Sequence, residues 1–521
     1  MKTIKRIKLH NFKRFKEFSV DFDDKLNLLI GDNEAGKSSI LLAVDIVLSG
    51  SVNKIETIGL DSLFNSEIIL EFLNSEKKYN NLPNLYIELF LNEQNNPDLN
   101  GKYNSEDTIS DGLLMICKPN DELSKEIAEI LKQPEPNFPF EFYTVNFKTF
   151  KGESYSPYKK YLRHISIDSS QISNEYATKA YIKEMYYSNI RDEAEKSKYQ
   201  NEYRKFKEKF KNDILVELNS KIDEYSFSIK NNSKANLETD LTIEEDNITI
   251  ENKGKGRQCF IKTEFALRRT SNINIDILLL EEPENHLSHI NMKKLIKRIF
   301  DNNDKQLFIT THNSMISNRL DLRKSILLNS NSAEPVLLNM LTDSTAKFFM
   351  KAPDNNMLEF ILSKKIILVE GDAEYILMEA FFKNETGLTL DDAGVHIISV
   401  DGTSFKRYLD IAILLAIKTA VIRDNDKDYQ NNCIHNYEDY SNDSIKIFAD
   451  INNNRSTFEI CLYEDNIKIC DDLFLKGRKT LSVQDFMIQN KAEVAFEILD
   501  KKGCDIIAPQ YIKDAIKWIK E

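Results

Sequence analysis

Polar and apolar residues alternate through the first twenty-odd positions of KTIKRIKLHNFKRFKEFSVDFDDKLNLLIGDNEAGKSSILLAVDIVLSG, give way to the mostly apolar LNLLI, and break at a glycine-containing loop before SSILLAVDIVL. This pattern predicts two half-buried strands, a buried strand, a loop and a helix. Short alternating strands such as LYIELFL and FEFYTVNF, separated by Asn-, Asp- and Pro-rich turns, fill residues 60–150. From 172 to 226 the composition shifts to Lys, Glu, Tyr and Asn without proline. Phe206, Phe210, Ile214, Leu218 and Ile222 recur there every fourth residue, which predicts a long helix with one apolar stripe. Two apolar strands follow: ILLL at 277–280 is continuous and reads as buried on both faces of a parallel sheet, and LFITTH at 307–312 ends in His312. Prolines and turn formers at 330–360 mark a connection. Beyond it, IILV, HIISV and KTAVI predict three more strands, each ending in an acidic or glycine-bearing loop (Gly402 in the second).

The loop GDNEAGKSS fits G-x-x-x-x-G-K-[ST] between a strand and a helix. Gly31 and Gly36 permit the backbone path that turns N–H groups toward phosphate oxygens. Lys37 reaches the outer phosphates of a nucleotide, Ser38 ligates its Mg²⁺, and Asn33 and Ser39 flank them. A P-loop needs acids to hold the metal and activate water, and ILLL ends in Glu281 and Glu282. The first is placed to support the Mg²⁺ shell and the second to orient the attacking water. His312, at the end of LFITTH, is placed to reach a γ-phosphate.

The C-terminal strands carry a second acidic set. Glu370 follows IILV, Glu374 lies one helical turn further on, and Asp424 and Asp426 follow KTAVI one residue apart. Four carboxylates at one sheet edge repel each other unless divalent cations neutralise them, so these residues read as metal ligands. Asp428, one step beyond, reads as a solvated charge.

At 521 residues the chain accommodates two or three domains. Its net charge of −13 excludes a uniformly basic nucleic-acid-binding surface, so any such contact must run through local patches or metal ions. No stretch approaches the roughly 20 apolar residues of a membrane span. The six cysteines form no C-x-x-C pair and read as reduced, mostly buried thiols, in keeping with a cytoplasmic protein.

The order of nucleotide motifs resembles the ABC-type ATPases of the recombination and chromosome-maintenance branch. The resemblance implies a nucleotide sandwiched between two heads, with a signature loop facing the P-loop of the partner. NKGKGRQCF at 252–260 stands where that loop belongs, with Lys255 in the place of the usual serine and Gly256 and Gln258 keeping the pattern. Gln171 is the candidate for the Q-loop. The later acidic stations, VEGDAE and RDND, resemble the Toprim domain of topoisomerases, primases and certain nucleases. Together the two resemble the OLD (overcoming lysogenization defect) family of ATP-dependent nucleases, whose relatives include the nuclease subunit of Gabija defence and effectors linked to retrons.

That resemblance implies an α/β chain. An ABC-type ATPase head occupies 1–170 and 227–345, a helical insertion suited to dimerisation occupies 171–226, and a Toprim domain with a parallel sheet occupies 360–521. It further implies two Mg²⁺ or Mn²⁺ ions held by Glu370, Glu374, Asp424, Asp426 and an acid in STFEICL, Glu459 with Glu464 as competitor. Lys491 is nominated as the lysine presented to the scissile phosphate. The implied activity is an ATP-regulated DNA endonuclease or nickase in defence against phage, as a homodimer or larger homo-oligomer, beside a neighbouring helicase or retron component. The alternatives are an ATPase sensor or scaffold, and cleavage of RNA such as tRNA.

Overall fold

The computed structural model describes residues 1–133, 137–170, 175–230, 237–267, 275–301, 304–313, 316, 320–329, 334–351, 356–400, 405–476 and 481–521. Gln171 and Gly402 lie outside the described residues. The chain forms two compact units, Met1–His312 with Lys324–Pro335, and Asn313–Arg323 with Val336–Glu521.

Two sheets organise the first unit. Strands Phe15–Asp21, Ile4–Phe12, Leu85–Leu91, Ser110–Pro119 and Tyr143–Thr149 pair antiparallel in that spatial order. A parallel sheet runs in the order Ser325–Leu328, Leu26–Gly31, Gln306–Thr310, Ile277–Glu281 and His164–Asp168. The helix Lys37–Ser49 contacts strands of both sheets, and Ile40, Leu41, Ala43, Val44, Ile46, Val47 and Leu48 are all buried. A helix apolar nearly all round is stable only when covered on every side, which is why SSILLAVDIVL carries so few polar positions. Register aligns Glu281 with Thr310 on one neighbour and Asp168 on the other, so the strand ends form a continuous carboxyl edge.

The helical insertion comprises Glu175–Asn189, Glu193–Asp213 and Leu215–Asn219, so the long helix expected to carry the stripe at 206–222 is divided at Ile214 and ends before Ile222. Asp192 is extended and its side chain accepts the N–H of Glu195 at 2.8 Å, which caps the start of the second of these helices. The apolar stripe faces outward, with Phe206 64% and Ile214 60% exposed.

In the second unit, four parallel strands run in the order Val395–Ser399, Lys365–Val369, Lys418–Ile422 and Ile445–Phe448. Helices Asp372–Thr386, Lys491–Lys502 and Gln510–Lys520 bury Phe381, Phe382, Ile498 and Ile512 in one core. Part of the stretch expected to connect domains is helical, Asp343–Lys351 and Met357–Leu362, and belongs to this unit. Among the described residues no helix is long and apolar enough to cross a membrane.

Candidate functional site

The P-loop joins strand Leu26–Gly31 to helix Lys37–Ser49. Gly36 has φ +96° and a Cβ there would lie 2.4 Å from the Phe15 ring, so both backbone and space require glycine. The Lys37 ammonium donates to the carbonyls of Gly31 at 2.7 Å and Asp32 at 2.8 Å. Burial pushes its pKa below the ordinary lysine value, opposed by Glu282, Asp32 and Glu281. A cavity of about 250 Å³ gathers Asn33, Gly36, Lys37, Ser38, Ser39, Glu282 and His312.

Glu281 sits at the carboxyl edge of its strand. Burial raises its pKa, and a hydrogen bond from Ser38 opposes the rise. Glu282 holds φ +45°, a left-handed conformation unusual for a side-chain-bearing residue. Its carboxylate lies 3.2 Å from His312 Nε2 and accepts Asn285 Nδ2 at 2.8 Å. Burial lowers the His312 pKa, and the Lys37 charge adds to that effect.

Two residues around this cavity were not singled out by sequence. Arg14, in the hairpin turn after Ile4–Phe12, lines the cavity and donates to the Glu34 carbonyl. Glu284, hidden within the run EEPE, is buried and accepts both Thr311 Oγ1 at 2.6 Å and His312 N–H at 3.0 Å. It thereby anchors the loop that carries His312. Glu284 had only its place in an acidic run as a signal, and Arg14 had none.

Lys255 and Gly256 do not line the cavity of their own chain. They open helix Lys255–Leu267, Lys255 exposed and Gly256 so close to the next loop that a Cβ would lie 2.0 Å from the His286 carbonyl. Gln258 is buried and donates to the Lys253 carbonyl at 2.8 Å, which makes it a residue of the loop's own structure.

In the second unit the chain passes from strand Lys365–Val369 to a neighbour on one side and then, at Lys418–Ile422, to the other. Such a reversal opens a crevice at the carboxyl ends of the two strands. Glu370 and Asp424 stand there, the N–H of Asp424 donating to Glu370 Oε2 at 3.2 Å. Glu374 lies in the first turn of Asp372–Thr386 and Glu459 in the first turn of Phe458–Asp465, where helix N-termini favour negative charge. Asp424 Oδ1 accepts the N–H of Phe458 at 2.7 Å. Lys491 begins its helix and pairs with Glu459 at 3.0 Å.

The four carboxylates sense one another. Burial, then Glu459 and Glu370, push the Glu374 carboxyl up to about 7, with Lys491 opposing. Burial, then Glu374, Glu370 and Glu459, push Asp424 up to about 8. Asp426 is different: at φ +48° its half-exposed carboxylate pairs with Arg423 at 3.1 Å. Glu464 pairs with Arg455 at 3.4 Å, whereas Glu459 faces Lys491 and the other buried acids. Asp428 is partly exposed and accepts Asn431 Nδ2 at 2.6 Å.

Asn425, between the two aspartates, was not singled out by sequence. It is 1% exposed, and its amide donates to the carbonyls of Asp450, Asn452 and Arg455, holding the loop that leads to Glu459. Only its burial reveals the role, since asparagine in an acidic loop ordinarily reads as a turn former.

Among the described residues no three His, Cys, Asp or Glu side chains already surround a single point at ligand spacing. Two backbone N–H groups and Lys491 occupy oxygens of Glu370, Asp424 and Glu459. Yet Glu459 Oε2 is buried with no hydrogen-bond partner among the described residues, an expensive state for a carboxylate oxygen. Four clustered oxygen donors carrying such an orphan fit a hard divalent cation, which would satisfy the oxygen and offset the repulsion.

Residues 1–316 match the model of the AAA ATPase domain family, and residues 361–426 match the Toprim domain of overcoming lysogenization defect protein-like proteins. A Plasmodium falciparum structural maintenance of chromosomes protein 3 homolog is 33% identical over 109 residues, 18% of this chain and 9% of its own length. The Clostridium kluyveri DNA replication and repair protein RecF is 47% identical over 38 residues, 7% of this chain and 10% of its own. The chain thus spans about a tenth of the length of the curated relatives it matches. Among solved structures, an Smc head bound to the C-terminal winged-helix domain of ScpA is 14% identical with TM-score 0.35, covering 63% of this chain and 93% of its own. The C-terminal region of the Burkholderia pseudomallei OLD protein is 21% identical with TM-score 0.24, covering 30% of this chain and 97% of its own.

Proposed function

Because this chain belongs to the AAA ATPase family in an OLD-type fusion with a Toprim domain, we propose that it is an ATP-regulated, divalent-metal-dependent DNA endonuclease or nickase. The observation that carries the reading is the convergence of Glu370, Glu374, Asp424 and Glu459 at the strand-order reversal, with an orphaned oxygen among them. Those four residues would hold Mg²⁺ or Mn²⁺. Bound there, such ions supply an activated water and neutralise charge on a phosphodiester. Lys491, half exposed beside Glu459, adds a mobile positive charge at the mouth of the crevice, where a scissile phosphate needs one. An acidic protein thereby meets a polyanion at one point rather than over its whole surface.

In the first unit, Lys37, Ser38 and Arg14 would grip the nucleotide phosphates, and Glu281 would support the Mg²⁺ that accompanies ATP. Glu282, with His312 beside it, would take the proton of the attacking water. Lys255 and Gly256 act across a homodimer in this reading, which agrees with their position outside the cavity of their own chain. A second copy is also the partner proposed for the exposed stripe of Phe206, Phe210 and Ile214. Action against phage and work beside a helicase or retron component are what the OLD resemblance implies, and cytoplasmic location agrees with them.

The test is incubation of purified protein with supercoiled plasmid, linear DNA and tRNA, with Mg²⁺ or Mn²⁺, with and without ATP. Plasmid nicking that vanishes in Glu370→Ala and loses its ATP dependence in Lys37→Ala is expected. Cleavage confined to tRNA, or a wild type inert on all three, would refute the DNA reading.

A further inference from the structure

We propose that the first unit carries a second ligand site, built for a nucleoside phosphate, at the end of the P-loop helix opposite the P-loop. A cavity of about 1210 Å³ lies there, ample for a mononucleotide, since ordinary ligand pockets hold ~300–1,000 Å³. Its floor includes Gly50 and Ser51, just past the helix Lys37–Ser49, together with His164 at the start of its strand and Ile275 just before another. The nucleotide cavity described above gathers instead at the first residues of that helix and at the carboxyl ends of the strands. Thirteen helical residues separate the two, roughly 20 Å, and they share no lining residue.

Three features of the cavity match three parts of a nucleotide. The first is charge. In a chain of net charge −13, Lys160, Arg163, Lys179, Lys183 and Lys196 line this one space; among the described lining residues Glu238 is the one carboxylate, and Glu193 outside the lining pairs with Lys196 at 3.0 Å. Local inversion of the protein's overall sign is what phosphate binding demands. The second is aromatic surface. Tyr187 lies with Lys183 5.9 Å and Lys196 5.1 Å from its ring centre, and Tyr158 is almost wholly exposed, so a base can stack beside the cations.

The third is a pair of buried polar atoms without partners among the described residues. His164 is 5% exposed, and its Nε2 meets Asp45 Oδ1 at 2.8 Å while Lys54 pairs with the same carboxylate. This leaves Nδ1 buried and unpartnered. Glu238 is 3% exposed; one oxygen accepts Tyr187 Oη at 3.2 Å and Gln200 Nε2 at 2.6 Å, and the other has no partner. A carboxylate acceptor at the back of a basic cavity repels bare phosphate but suits the N–H or O–H groups of a base or ribose. That contrast selects a nucleoside phosphate over an inorganic polyanion. Because helices Glu175–Asn189 and Glu193–Asp213 supply four of the lining residues named here, occupancy would report to the segment that carries the exposed apolar stripe.

Isothermal titration of ATP, pyrophosphate and decathymidylate into the full chain tests this. Two ATP molecules per wild-type chain and one per Lys37→Ala chain are expected. In the Lys37→Ala background, adding Lys183→Glu or Arg163→Gln should weaken the remaining ATP at least tenfold, and pyrophosphate should bind at least tenfold more weakly than ATP. Both substitutions fall on exposed side chains, so the fold tolerates them. Absence of ATP binding to Lys37→Ala protein, or an affinity that neither substitution moves, overturns the proposal. Decathymidylate binding more tightly than ATP overturns it in favour of a nucleic-acid strand. A failure of the P-loop reading shows separately, as two sites surviving Lys37→Ala.

Discussion

Replacing Glu374 by Gln should stabilise the second unit in the absence of metal, although it removes a residue proposed for catalysis. The Glu374 carboxyl is 5% exposed, and burial with Glu459 and Glu370 nearby raises it from its ordinary 4.5 to about 7. A folded-state pKa raised above the unfolded one favours the protonated acid. Its contribution to stability is therefore fully present below pH ~4.5 and is lost as the pH rises through 7. At ~1.4 kcal/mol per tenfold change in proton affinity, ionised Glu374 costs the fold about 3 kcal/mol by pH 9. For a unit of this size, at ~2–4 °C per kcal/mol, that corresponds to a melting point roughly 6–12 °C lower. Trp518, the only tryptophan of the chain, packs on Phe448 in this unit, so its fluorescence reports this unit's unfolding. With EDTA present, the wild-type midpoint should fall between pH ~5 and pH ~8 while Glu374→Gln stays markedly flatter and higher at pH 9. Saturating Mn²⁺ should restore the wild type at pH 9, since a cation that binds only the folded carboxylates shifts the equilibrium toward them. Equal pH slopes in the two proteins would refute the reasoning.

Glu282→Gln should cut ATP turnover by roughly 10²–10⁴-fold while ATP still binds, as loss of a general base predicts; steady-state hydrolysis with parallel binding titration checks it. Asn425→Ala removes two amide hydrogens shared among three carbonyls and should cost about 2 kcal/mol, read in the Trp518 melting curve, together with loss of cleavage. An unchanged midpoint would show that the 450–455 loop holds itself. Phe206→Asp combined with Ile214→Asp should turn a dimer into a monomer by light scattering, and an unaltered mass would remove the stripe from the interface.

The P-loop was legible because its chemistry needs a fixed local spacing, and Gly36 and Lys37 cannot be moved without losing the fold of the loop. Glu370, Glu374 and Asp424 were legible for a similar reason: acids at the ends of apolar strands are conspicuous against a buried background. Glu459 stood beside Glu464 in the sequence with nothing to separate them, and only the different partners, Lys491 and Arg455, do so. Asp426 looked equivalent to Asp424, yet the left-handed backbone at 426 sends it to Arg423. Arg14 was invisible because its role depends on a hairpin folding over a loop twenty residues away. The division at Ile214 was hidden because every-fourth apolar spacing continues straight through it. Helices 343–351 and 357–362 were passed over where flanking turn formers and prolines dominated the reading.

If the carboxylates at the C-terminal strand ends hold divalent cations, anomalous diffraction from crystals grown with Mn²⁺ will locate them. Manganese peaks are expected within coordination distance of Glu370, Glu374, Asp424 and Glu459, absent in an Asp424→Asn crystal grown alongside. Full-strength Mn²⁺ solution that leaves those four side chains without a peak would contradict cation binding there.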